Sequence, residues 1–267
     1  MPTARIPNLL HFLFFLGLTF FAFLLSEATV LALTHGTPVE RTLADQRLQL
    51  IVNVVTYLIA LTAGWFAMPI FWQQPFPVGV HWNAARATWR LGLLGLVVGF
   101  AAQGVTQLLP PTKDLPIEAF FRNPALIWFL VFFGVILGPL FEEIVFRGFL
   151  LPGIAIAVDY VRIPRDPDPL VSLENLIAWR SSNSFSKLAL TISSILTSLL
   201  FAFLHAPQLG YTWPSVALLA SVSIMLCVVR LRTGSVAASF AVHGCYNLSV
   251  FLTLFVTTGG FRHLDRM

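Results

Sequence analysis

Apolar positions along this chain gather into seven long runs separated by polar breaks: Leu9–Leu33, Leu48–Trp72, Leu91–Leu109, Ala125–Leu151, Leu188–His205, Ser215–Arg230 and Ser235–Thr257. A helix needs about 20 such residues to cross the hydrocarbon core of a bilayer. The pattern therefore predicts an all-α, polytopic transmembrane helix bundle of about seven spans, within a range of six to eight. The run Ser215–Arg230 is the shortest of them. The fourth has room to continue through Gly153–Val158 as an interfacial or continuing helix. Arg5 ahead of the first run raises the alternative of a signal peptide. Apolar character persists to about Leu33, however, broken only by Ser26-Glu27. That is longer than a cleavable core of about 7 to 15 residues, so the run reads as a spanning helix with Glu27 at the interface.

The breaks are short with one exception. Asp159–Lys187 carries Pro164, Pro167 and Pro169, four acids, four bases and the string Ser181-Ser182-Asn183-Ser184. Its composition suits a solvated excursion with at most a short surface helix near Leu170–Trp179. A tolerated insertion is the favoured reading, ahead of a substrate gate. No repeat or low-complexity tract appears. The expected organisation is an N-terminal group of helices over 1–123, a motif-bearing core over 124–257 with the 159–187 insertion, and a short polar tail over 258–267.

Composition strengthens this picture. The chain is 57% hydrophobic and 10% charged, where a soluble domain is about 25% charged. The net charge of +4 is mostly loop arginine, which speaks to orientation. No basic stripe with interleaved aromatics lies outside the spans, so no nucleic-acid partner is expected. With the N-terminus inside, nine loop bases fall inside, Arg230 among them, and six outside, including Lys113, Arg122 and Arg266. That bias favours a cytoplasmic N-terminus. The expected location is the cell (plasma) membrane, crossed several times, with the lipid bilayer as one partner. Cys227 and Cys245 sit in apolar runs and read as small core residues rather than a disulfide.

Polar residues inside the last four spans are clustered. Glu142, Glu143 and Arg147 lie within six residues, and each charge at bilayer depth costs roughly 2.5 to 3.5 kcal/mol on insertion scales. Glu143 and Arg147, four apart, can pair on one helical face. Glu142 points about 100° away and is left as a surplus carboxylate. His205 ends the fifth run. His243 and Asn247 share a face of the seventh. A buried salt-bridge cluster would explain a single acid–base pair but not the surplus acid. One free carboxylate, two imidazoles and an amide from three helices are the groups needed to activate water against an amide carbonyl. The glutamate takes and returns the proton, and the remaining donors stabilise the oxyanion, at about 2.7 to 4 kcal/mol each.

Glu142-Glu143-Ile-Val-Phe-Arg147-Gly148, Phe201-Ala-Phe-Leu-His205 and His243-Gly-Cys-Tyr-Asn247, in that order, resemble the CAAX protease and bacteriocin-processing family of intramembrane proteases. That family includes the type II CAAX prenyl endopeptidases and the bacterial Abi proteins. Thr233-Gly234-Ser235 also looks familial. The resemblance spans about Pro124 to Phe255 and implies an active site within the last four spans. It implies Glu142 as the water-activating base with His205, His243 and Asn247 as oxyanion donors, and Glu143 with Arg147 as organisers of the site. The implied substrate is a peptide or protein, prenylated or otherwise membrane-associated, cut in CAAX-type or leader-peptide-type processing. No cofactor is required on the preferred reading. Glu142, His205 and His243 are also donor types that suit a divalent metal such as zinc.

Simple antiparallel packing of the fourth and fifth runs would place Glu142 toward the inner side and His205 toward the outer. The expectation is therefore a fifth helix that starts late and passes Pro207, or a broken or tilted helix. No Gly-x-Ser-Gly with a partner histidine and no pair of intramembrane aspartates offers another protease mechanism. Two other classes compete: a non-catalytic bacteriocin-immunity or scaffold protein, and a proton-coupled transporter using Glu142.

Overall fold

The structure is a computed structural model that describes residues 5–35, 39, 41, 45–108, 126–182 and 184–263. Leu109, Lys113, Arg122, Ala125, Asn183 and Arg266 lie outside the described residues. All regular structure among the described residues is helical. Seven helices are long and apolar enough to cross a membrane: α1 (Leu9–Leu33), α2 (Gln46–Trp72), α3 (Trp89–Thr106), α4 (Ile127–Val161), α6 (Lys187–His205), α7 (Trp213–Thr233) and α8 (Val236–Thr257). A further helix, α5 (Pro169–Ser181), buries none of its residues and lies in the excursion after α4.

Local chemistry explains the boundaries. Asn8 caps α1: its side chain accepts from the Leu10 and His11 amides, and the His11 ring accepts from the Asn8 amide. Asp45 caps α2 and Ser186 caps α6 in the same manner. α7 stops at Gly234, whose φ of 66° is the left-handed turn that a glycine adopts without strain.

Two contacts set the site. First, α1 and α2 press an aromatic wall onto α4. Phe15 stacks on Phe149 at 4.8 Å and Tyr57 on Phe141 at 3.9 Å. This occupies one flank of α4 and turns the acids between these rings the other way. Second, α3 lies directly against α8. A side chain on Gly95 would collide with the Val242 carbonyl, and one on Gly99 with Ser249 Oγ. Small residues of this kind let two backbones touch where no solvent drives helices together. Gln103 adds a 3.0 Å hydrogen bond to Ser249.

α4 takes the continuation that the sequence allowed and runs past Leu151 to Val161. The spans differ from the sequence expectation in two places. α7 covers 21 residues rather than the short Ser215–Arg230. Arg230, counted above as a loop base, is buried in the last turn of that helix.

Candidate active site

α4 is not a regular α-helix. Wide, π-type turns occupy Phe133–Leu137 and Ile144–Leu150, and the α-helical turn between them carries Glu142 and Glu143. Proline explains both. Pro139 has no N–H, and its ring collides with the carbonyl four residues back in a regular helix. A π turn moves that carbonyl aside, with the Gly138 amide bonding to Phe133 instead. Pro152 follows the second wide turn, where the Leu151 amide reaches back to Phe146. The first detour leaves the Gly134 carbonyl without a donor, since the residue five ahead is Pro139. Asn247 Nδ2 supplies one at 2.7 Å. Gly244 allows the approach, because a side chain there would stand 2.7 Å from the Val135 carbonyl.

The extended α4 also resolves the mismatch of levels. Asp159, in the last turns of α4, accepts from the Ser186 amide at 3.1 Å and from Ser186 Oγ at 2.6 Å. This clasp joins α4 to α6. From it, 17 residues lead back to Glu142 and 19 lead on to His205. At about 1.5 Å per residue those are about 25 Å and about 28 Å. The two side chains are therefore level, with α6 starting at Lys187 and ending at His205 before Pro207. Neither a late start nor a passage beyond Pro207 is found; of the alternatives, the fourth helix is the one interrupted, by its two wide turns, and it takes the allowed continuation to Val161.

Five of the six site residues meet in one place. Glu143 Oε1 lies 2.9 Å from Arg147 Nη1 and 2.9 Å from His243 Nδ1. Arg147 Nη2 donates to Ser223 Oγ at 2.7 Å and to the Ser223 carbonyl at 3.2 Å. Glu142 Oε1 lies 3.7 Å from His205 Nε2, and its Oε2 lies 3.7 Å from His243 Nε2. Those two gaps are too long for direct hydrogen bonds. Asn247 is in none of these contacts; the bond recorded for its amide is the one to Gly134.

Proton positions follow from the partners. His205 Nδ1 is 2.7 Å from the Phe201 carbonyl, which only accepts. His243 Nδ1 faces a carboxylate oxygen. Each ring thus holds its proton on Nδ1 when neutral and turns the Nε2 lone pair toward Glu142. Exposure separates the two acids: the Glu143 side chain is 0% exposed and that of Glu142 is 21%.

Metal-holding imidazoles are anchored through their second nitrogen in this way, and Glu142, His205 and His243 are suitable donors. Among the described residues, however, no three His, Cys, Asp or Glu side chains stand close enough together to hold a metal ion. The donor types fit a metal and their spacing does not.

One contributor escapes a reading of the sequence, and a second, Phe201, stands in a quoted motif without a role assigned to it. Ser223 holds Arg147, yet a serine in an apolar run carries no mark of that role. Phe201 touches three site residues: its ring centroid is 4.4 Å from that of His205 and 5.8 Å from that of His243, and Arg147 lies 4.9 Å over its face. Pro139 inside a predicted span was the available signal that a carbonyl near Gly134 would need a donor.

Residues 124–249 match the family described as Type II CAAX prenyl endopeptidase Rce1-like. Comparison with curated proteins and comparison with solved structures each give no match.

Proposed function

From the premise that residues 124–249 belong to the type II CAAX prenyl endopeptidase Rce1-like family, a family of membrane proteases, we propose that this multi-pass membrane protein is an intramembrane endopeptidase. Its substrate is a prenylated, membrane-associated protein or peptide, cut near the C-terminus. One observation carries the reading: an accessible, incompletely paired carboxylate stands 3.7 Å from each of two imidazole Nε2 atoms contributed by two other helices.

A water bridging Glu142 and His205 donates one hydrogen to each, so its remaining lone pair is free to attack the scissile carbonyl. Glu142 takes the proton as the C–O bond forms. It then passes the proton to the leaving nitrogen as the C–N bond breaks. A proton taken up by His243 during the reaction makes that ring the second donor. With that proton on Nε2, His243 donates to the oxyanion while Glu143 holds its Nδ1–H. Asn247 offers its second amide N–H one turn further along the same face. Glu143, Arg147 and Ser223 keep His243 in place and touch no reacting atom.

The test is cleavage of a farnesylated CAAX peptide by the protein purified in lipid nanodiscs, read by mass spectrometry. Glu142→Gln should abolish the product while leaving the thermal unfolding midpoint in place. Equal cleavage by the variant overturns the proposal.

A further inference from the structure

Tyr57 is the polar side chain beside the reacting groups that the mechanism leaves unused. It stands near the middle of α2, outside the family match over residues 124–249. Its ring stacks on Phe141 at 3.9 Å and on Phe133 at 5.6 Å. Phe141 precedes Glu142, and Phe133 precedes Gly134, whose carbonyl holds Asn247. The ring therefore lies alongside the first wide turn of α4, at a level between Glu142 and the anchor of Asn247.

The hydroxyl is neither paired nor sealed. No hydrogen bond to it forms among the described residues, and its oxygen is not closed off as the unpartnered hydroxyls of Thr56 and Thr197 are. Hydrocarbon offers such a group no partner at mid-bilayer depth, and a half-buried tyrosine ordinarily brings its O–H to one. The charge that acts on it is that of Glu142, the acid whose side chain is 21% exposed. The phenol and the open carboxylate thus border one space, in which water and the scissile carbonyl are the available partners.

Resting on the protease reading above, we propose that Tyr57 is a catalytic residue whose hydroxyl donates a hydrogen bond to the oxyanion of the tetrahedral intermediate. A phenol is protonated at neutral pH and can donate, and it brings no further charge to bilayer depth, where each one is costly. Stacking on two rings of α4 holds the donor in place before charge develops, the condition under which such a bond favours the transition state over the bound substrate. Asn247, with one N–H already given to Gly134, then shares the oxyanion with a donor from α2. The N-terminal helices supply chemistry as well as packing.

The experiment uses the full chain in nanodiscs and a farnesylated CAAX peptide. Tyr57→Phe keeps the stacked rings and removes one oxygen. It should lower kcat about a hundredfold, leave KM within about twofold and leave the thermal unfolding midpoint in place. Two inhibitors supply a second readout. A farnesylated peptide with a phosphinate in place of the scissile amide mimics the tetrahedral state, and its inhibition constant should weaken in the variant by about the factor lost in kcat/KM. The reduced-amide analogue, which has no oxygen at that position, should inhibit both proteins equally. Unchanged kcat in Tyr57→Phe, a loss confined to KM, a lowered unfolding midpoint, or equal weakening of both inhibitors overturns the proposal and leaves the protease reading standing. A wild type inert toward the peptide overturns the protease reading and this one with it.

Discussion

The pocket behind Glu143 and the pocket in front of Glu142 are built from adjacent residues on opposite terms. Behind, Glu143, Arg147, Ser223 and His243 Nδ1 form contacts of 2.7 to 2.9 Å with the acid and the arginine wholly buried. In front, Glu142 faces two lone pairs across 3.7 Å and is one-fifth exposed. A closed cluster pairs its two opposite charges at short range and keeps both wholly buried. An open one leaves room for a water and a reacting carbonyl. The difference teaches that charge in a membrane can serve architecture and chemistry in consecutive residues, provided the surplus charge faces the opening.

That contrast can be broken from either side. The largest expected effect is on chemistry: Glu142→Gln or His205→Ala should lower kcat by at least about a thousandfold, combining loss of the base with loss of the water's position. The unfolding midpoint in detergent should barely move; a large fall would mean that Glu142 belongs to the architecture after all. Next comes the closed side. Arg147→Met leaves Glu143 as an unpaired buried charge and should cost about 3 to 5 kcal/mol. Thermal unfolding of the variant reads it, and a stable, fully active Arg147→Met protein would contradict the assignment. Asn247→Ala orphans the Gly134 carbonyl and should cost about 1 to 3 kcal/mol. Its activity should fall as well, and a loss of activity with no loss of stability would show that the Gly134 bond does not matter. The smallest effect expected is from metal removal: activity after dialysis against a strong chelator should match the untreated protein. Loss on dialysis with recovery on added zinc would mean that the open side closes around an ion.

Periodicity made the helices legible because a bilayer demands long apolar runs and little else looks like them. Where a helix ends was harder. The continuation past Leu151 is one of two readings open in the sequence because of Pro152-Gly153; the wide turn before Pro152 steps around the missing N–H, and Gly153 lies against Leu9 of α1 and its cap residue Asn8. That override is tertiary and leaves no local trace. The motif residues were legible as a set because surplus polar groups in apolar runs are conspicuous. Their division of labour was not. The use of Asn247 on Gly134 depends on a carbonyl released by Pro139, 108 residues earlier in the chain. Arg230 was misplaced for a related reason: an arginine near a run's end looks like a loop base until packing shows it enclosed.

The Asp159–Ser186 clasp ties α4 to α6 at the far end from Glu142 and His205. The segment between them, α5 included, is held besides by Arg5, which donates to the Ser182 and Ser184 carbonyls and lies over the Trp179 and Phe185 rings. Two fastenings thus close this end of the hairpin, one from the Ser186 amide and hydroxyl to Asp159 and one from the N-terminal Arg5, so the chain's beginning and its long excursion are buckled to the same two helices.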